Sequence, residues 1–131
     1  MAERYVVDSS VWVALFLDFD TQHGRAVRTI AGLALALYVP YCVIVETASV
    51  LAYKHSKAQA DNFLRYISDN NDVRIVAPSM NEEIAFYLTL SERLSFADAA
   101  LVVEARTLHA DLVTFDKQLA RVEKKTNKRN A

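Results

Sequence analysis

The run Arg4-Tyr5-Val6-Val7-Asp8 sets the strictest condition on how this chain folds. Three apolar residues lead to a carboxylate, hydroxyls follow at Ser9 and Ser10, and a new apolar pattern opens at Val11. A strand apolar on both sides suits the middle of a parallel sheet covered by helices. Ligands of open α/β sheets bind just beyond the carboxyl ends of such strands, which is where Asp8 stands.

The rest of the chain keeps to that plan. Val11, Trp12, Ala14 and Leu15, with Phe16 and Phe19 beyond, have helical spacing. Residues 21–37 read as a second helix with Val27, Ile30, Leu33, Ala34 and Leu37 on its apolar face. A short strand follows at Tyr38-Val39-Pro40, where the proline ends ladder donation. Residues 42–54 and 57–69 read as helices, Asn70-Asn71-Asp72 as a turn, and residues 73–77 as the third strand. Ser79 with Glu82, and Ser95 with Asp98, match capping boxes for helices over 79–93 and 96–108. Residues 111–114 are the fourth strand, before Phe115-Asp116 and a basic helix or tail. Strands alternating with helices imply βαβ units, right-handed crossovers and a short central parallel sheet in a three-layer α/β/α sandwich.

Composition narrows the class. At 131 residues the chain is one domain, 53% hydrophobic, with only two glycines and two prolines, which argues for a compact helix-rich globule. The mainly apolar stretch 31–53 is interrupted by Pro40 and Glu46, so no membrane role is expected, and Asp8 cuts the first apolar run too short for a signal peptide. The single Cys42 excludes an internal disulfide and fits a reducing cytoplasm. Net charge is −1, but six basic residues and one acid fall within 117–129. The remainder carries nine basic residues against fifteen acidic ones. Residues 1–120 are read as the folded domain and 121–131 as a basic tail, an arrangement that sets a polyanion site beside a cation site.

Four acids invite a joint explanation. Glu46 is the only charge in Cys42-Val43-Ile44-Val45-Glu46-Thr47-Ala48-Ser49-Val50-Leu51-Ala52-Tyr53, and a buried carboxylate there needs a basic partner, an edge position or a cation. Asp98 and Asp8 could each serve only as helix caps, and Asp116 only as a turn or the start of the last helix. Yet Asp8 and Asp116 end strands, while Glu46 and Asp98 open or lie early in helices, so all four can face one sheet edge. Their convergence costs several kcal/mol of repulsion unless hard cations offset it, and oxygen-only ligands suit Mg²⁺ or Mn²⁺ rather than zinc.

In this order and spacing, Asp8-Ser9-Ser10, Glu46 in its apolar helix, Ser95-Phe96-Ala97-Asp98-Ala99 and Leu112-Val113-Thr114-Phe115-Asp116 resemble the PIN-domain ribonucleases. The similarity is greatest to the small VapC-like toxins of type II toxin–antitoxin pairs, and it spans roughly residues 5–119. It implies a Mg²⁺- or Mn²⁺-dependent endoribonuclease. Asp8, Glu46, Asp98 and Asp116 fall on the family's catalytic, metal-holding acids, and Ser9 and Thr114 on its supporting hydroxyls. It also implies an RNA substrate, an antitoxin partner and a homodimer. The chain departs from relatives that carry a last apolar strand, because from Arg121 onward it is mainly polar and basic.

RNA would approach an acidic pocket over basic ground, for which Lys54, Lys57, Arg93 and Lys117 are the candidates. His23, His55 and His109 show no ligand or base spacing. The rivals are weaker. A dehalogenase-type phosphatase needs a second aspartate where Ser10 stands, and no glycine-rich phosphate loop exists. A receiver-like signalling domain needs a strand-end lysine, for which Lys117 is the nearest match. A PIN-like binding module without catalysis would have no use for four acids.

Overall fold

The computed structural model describes residues 4–33 and 36–130, with side chains through Thr126. The elements run β1 (Arg4–Val7), α1 (Ser9–Phe16), α2 (His23–Ala31), β2 (Ala36–Pro40), α3 (Tyr41–Lys54), α4 (Lys57–Asp69), β3 (Val73–Val76), α5 (Met80–Thr89), α6 (Phe96–Thr107), β4 (Asp111–Val113) and α7 (Lys117–Asn130). The four strands form one parallel sheet in the order β3-β2-β1-β4. Val6 and Val7 point to opposite faces of β1 and both are fully buried, so helices cover the sheet on both sides, as the α/β/α expectation requires. The chain steps outward from β1 to β3, then returns to lay β4 on the other side of β1. The reversal of strand order lies between β1 and β2 on one hand and β4 on the other, so it opens a crevice at the carboxyl end of β1.

Trp12 on α1 is the largest fully buried side chain. Its ring meets Phe63 and Tyr66 of α4 at 5.7 and 5.8 Å, and its Nε1 donates to the Val7 carbonyl at 3.1 Å. That contact fixes α1 against β1 directly below Asp8. Leu94, Ala99 and Val122 form a small second core with Phe86 and Leu90, and this is what seats α7 against the α5–α6 pair.

Several elements differ from the sequence reading. Residues 21–37 are not one helix. Gly32 closes α2, its amide returning to the carbonyls of Arg28 and Thr29, and Leu37 lies in β2. Alternating leucine and alanine suit a helix, but Arg4, Tyr5 and Val6 of β1 pair with Ala36, Leu37 and Tyr38 and override that preference. Ala34, assigned to the apolar helical face, lies outside the described residues. Helix α5 stops at Thr89 rather than position 93, and the Ser79 hydroxyl caps nothing; its amide donates instead to Glu104 Oε2 at 3.0 Å. Strand β4 ends at Val113, which frees Thr114 to turn its hydroxyl inward. Phe19 is exposed beyond α1 and stacks on His55.

Glu83 of α5 and Glu104 of α6 are buried against each other. Burial, then the hydrogen bond and charge of Glu104, lift the Glu83 carboxyl from its ordinary value near 4.5 to about 7. A protonated Glu83 can donate to Glu104 while Ser79 donates to the same carboxylate, so one proton holds the pair together. A raised folded pKa gives stability that is present below the unfolded value and lost as pH rises through about 7. Glu83→Gln keeps a donor at that point without a proton to lose. Its stability is expected to fall less than the wild type's between pH 6 and 8, by on the order of 1 kcal/mol, with a correspondingly smaller drop in melting temperature. Parallel thermal melts across that range check this, and identical pH profiles would show that no proton is shared.

Candidate active site

Asp8 is the N-cap of α1 and sits at the end of β1, buried beneath the crevice. Its Oδ1 accepts from the Ser9 amide at 2.7 Å. Its Oδ2 accepts from the hydroxyls of Ser10 at 2.9 Å and Thr114 at 2.7 Å. The two hydroxyls are themselves held in place: Ser10 Oγ receives the Phe115 amide at 3.1 Å, and Thr114 Oγ1 receives the Asp116 amide at 3.0 Å. Each hydroxyl thus accepts from the β4–α7 turn and donates to Asp8. Three donors fix the direction in which this carboxylate points.

Glu46 lies on the second turn of α3. The Ser9 hydroxyl is 2.6 Å from Glu46 Oε1 and 3.4 Å from Asp8 Oδ1, and it has one proton to give. The shorter bond takes it, so Ser9 joins the two acids by holding Glu46 with its side chain and Asp8 with its amide. This answers what makes Glu46 tolerable among apolar neighbours: a hydroxyl partner at the pocket wall. Asp98 opens α6, its amide capped by Ser95 Oγ at 3.1 Å as the sequence motif predicts. Asp116 caps α7, its Oδ1 taking the amides of Gln118 and Leu119 at 2.9 and 3.2 Å.

Asp8, Glu46, Asp98 and Asp116 line one pocket of about 310 Å³, together with Ser9, Ser10, Val13, Asp20, Val50 and Lys54. The electrostatics record the convergence. The half-buried Asp98 carboxyl is lifted from near 3.8 to about 6, first by burial, then by the charges of Asp8 and Glu46, with Asp116 adding less. The donor set is all oxygen and of one sign, which is the chemistry that hard divalent cations fit. As placed, the acids are turned to protein donors; among the described residues no three His, Cys, Asp or Glu side chains form a ready cage for an ion.

Two pocket residues were not among the sequence candidates. Ser10, read only as part of the Asp8-Ser9-Ser10 motif, donates to Asp8. Asp20 accepts the Gln22 amide on Oδ1 at 2.8 Å and also lines the pocket. The basic candidates divide. Lys54 lines the pocket, whereas Lys57 is paired with Asp61 at 2.8 Å along α4. Arg93 accepts Gln118 Nε2 on its carbonyl at 3.0 Å, which places it beside the first turn of α7. Lys117 lines a separate groove. None of the three histidines lines the pocket; His23 is bonded to the Ala14 carbonyl and His55 to Ser56.

Comparison with known proteins agrees with this geometry. The model of the PIN domain matches residues 5–125, and the chain belongs to the PIN-domain family. Its fold is similar to that of the Mycobacterium tuberculosis toxin VapC20, described as cleaving the sarcin–ricin loop. That match has a TM-score of 0.82 at 23% identity over 90% of this chain and 94% of that one. It is also similar to Rickettsia felis VapBC2, solved bound to a DNA fragment of its promoter, with a TM-score of 0.67 at 14% identity over 90% and 92% of the two chains. No match was found among curated proteins. The sheet order β3-β2-β1-β4 also sets aside the receiver-like alternative, whose strands run 2-1-3-4-5.

Proposed function

We propose that this protein is a divalent-metal-dependent endoribonuclease and the toxin of a toxin–antitoxin pair. The observation that carries the reading is the lifted Asp98 carboxyl, which feels three other acids brought from distant segments into one pocket. Family membership and the likeness to a toxin described as cleaving the sarcin–ricin loop support the same reading. Asp8 and Asp98 would chiefly hold Mg²⁺ or Mn²⁺, with Glu46 and Asp116 alongside. When bound, such an ion activates water and stabilises charge on the phosphate and leaving oxygen.

The chain's own residues do the positioning. Ser10 and Thr114 hold Asp8 in place at the pocket floor, and Ser9 holds Glu46 against the wall. Lys54 supplies a cation at the rim for a phosphate of the substrate. Arg93 and Lys117 flank the α7 side of the approach, with Lys57 further out on α4. Unpaired bases of a loop would present the scissile phosphate. No helix among the described residues is long and apolar enough to cross a membrane, in keeping with a substrate met in the cytoplasm.

Two protein partners belong to this reading. An antitoxin partner is supported by the likeness to VapBC2, solved bound to a DNA fragment of its promoter. A second copy of the chain is supported by an apolar face: Tyr41, Val45, Met80 and Phe96 are exposed around a pocket of about 460 Å³ between α3, α5 and α6. The reading is tested by incubating the purified protein with structured RNA in Mg²⁺ or Mn²⁺, then in excess chelator. Internal cleavage that needs the ion is expected. Cleavage undiminished by chelator would remove the metal from the mechanism, and intact RNA with either ion would leave a binding module.

A further inference from the structure

An acidic pocket in an acidic body poses a problem for a polyanionic substrate, and α7 answers it. Lys117, Arg121 and Lys124 recur at i, i+4 and i+7, so they share one face of the helix, with Lys125 at its border. With Ala120 they line a groove of about 410 Å³. Leu119, Val122 and Thr126 lie on the opposite face and are buried, which fixes the basic face outward. Glu123 lies off the row. Lys125 reaches Glu92 at 3.3 Å and so steadies one wall of the groove. The row begins one residue after Asp116, which lines the pocket, and runs about 12 Å to Lys125.

We infer that the basic face of α7 is a phosphate rail that holds the RNA backbone as it leaves the acidic pocket. This rests on the ribonuclease reading and extends it, by giving binding a site separate from cleavage. Outside residues 117–129 acids outnumber bases fifteen to nine, so attraction for a nucleic acid must come largely from this helix. Contacts of this kind position the strand without reading its sequence.

The rail makes a specific prediction for Arg121→Gln/Lys124→Gln, two exposed residues outside the catalytic pocket. Binding of a fluorescent loop RNA about 20 nucleotides long would be followed by anisotropy in chelator across a salt series, beside cleavage of a trinucleotide too short to reach α7. The double variant should bind the long RNA about tenfold more weakly, and the slope of log affinity against log salt should fall by about 1.4, two single-strand phosphate contacts. Trinucleotide cleavage should be unchanged, and Arg121→Lys/Lys124→Arg should restore the slope. An unchanged slope in a variant that melts like the wild type overturns the rail. So does an unchanged slope with weakened antitoxin binding, which would make α7 a protein-docking face. A wild type that binds the long RNA but cleaves neither substrate under Mg²⁺ counts instead against the ribonuclease reading.

Discussion

Asp98→Asn is expected to lose RNA cleavage by at least about 10²-fold while making the metal-free protein more stable. The loss follows from removing one of the two acids proposed to hold the cation that would stabilise charge. The gain follows from the sign of the Asp98 shift. Its folded pKa of about 6 lies above the ordinary 3.8, so its favourable contribution is present below 3.8 and is lost as pH rises through 6. At pH 7.5 the ionised side chain faces Asp8 and Glu46 at a net cost. Asparagine has the same shape and no charge. Because Asp98 is only half-buried, solvent screening reduces the relief to on the order of 1 kcal/mol, a rise of a few degrees in Tm. Added Mg²⁺ or Mn²⁺ should raise the wild-type Tm and leave the variant's nearly still, since only a protein that binds the ion is stabilised by mass action. Melts in chelator and in ion, with cleavage measured on the same samples, decide the matter. A variant that melts below the wild type in chelator, or that still cleaves, contradicts the assignment.

The second large effect is on the fold itself. Trp12→Ala is expected to destabilise the domain by about 3–5 kcal/mol from lost burial and the cavity left under α1. The orphaned Val7 carbonyl adds to this, since Nε1 is its donor. Against a total stability of about 5–15 kcal/mol, most of the protein's margin would go. Trp12→Phe keeps a ring against Phe63 and Tyr66 and should cost about 1–3 kcal/mol. Urea titration of the three proteins would order them. A Trp12→Ala midpoint near the wild type would show that α1 is held elsewhere.

Much of this site was legible because its acids stand where periodicity changes. Asp8 follows an apolar strand, Asp98 sits three residues after a capping serine, and Asp116 follows the last strand. Each boundary has a local physical signature, and the chain order alone placed them on a common edge. Glu46 was legible for a different reason, as a lone charge among apolar residues. Ser10 and Asp20 were not, because a serine or aspartate beside a turn looks the same whether or not it faces a pocket. The helix drawn over residues 21–37 failed at its end because strand pairing depends on partners far away in sequence. Leu37 is placed by Tyr5 and Val73, which no local window contains. The Glu83–Glu104 pair was likewise invisible, since two glutamates on separate helices announce nothing until the helices pack.

The bond from Thr114 to Asp8 closes a loop of 106 positions. Strands β1 to β3 with α1 to α4 can therefore gather a core around Trp12 while Asp8 still lacks one of its three donors. Only when β4 slides in beside β1 do Thr114 and the turn after it reach the pocket, carrying Asp116 with them. Such distant closures come late and slowly in folding. A chain paired only through β3 would therefore lack both the Thr114 donor and the Asp116 wall of the pocket.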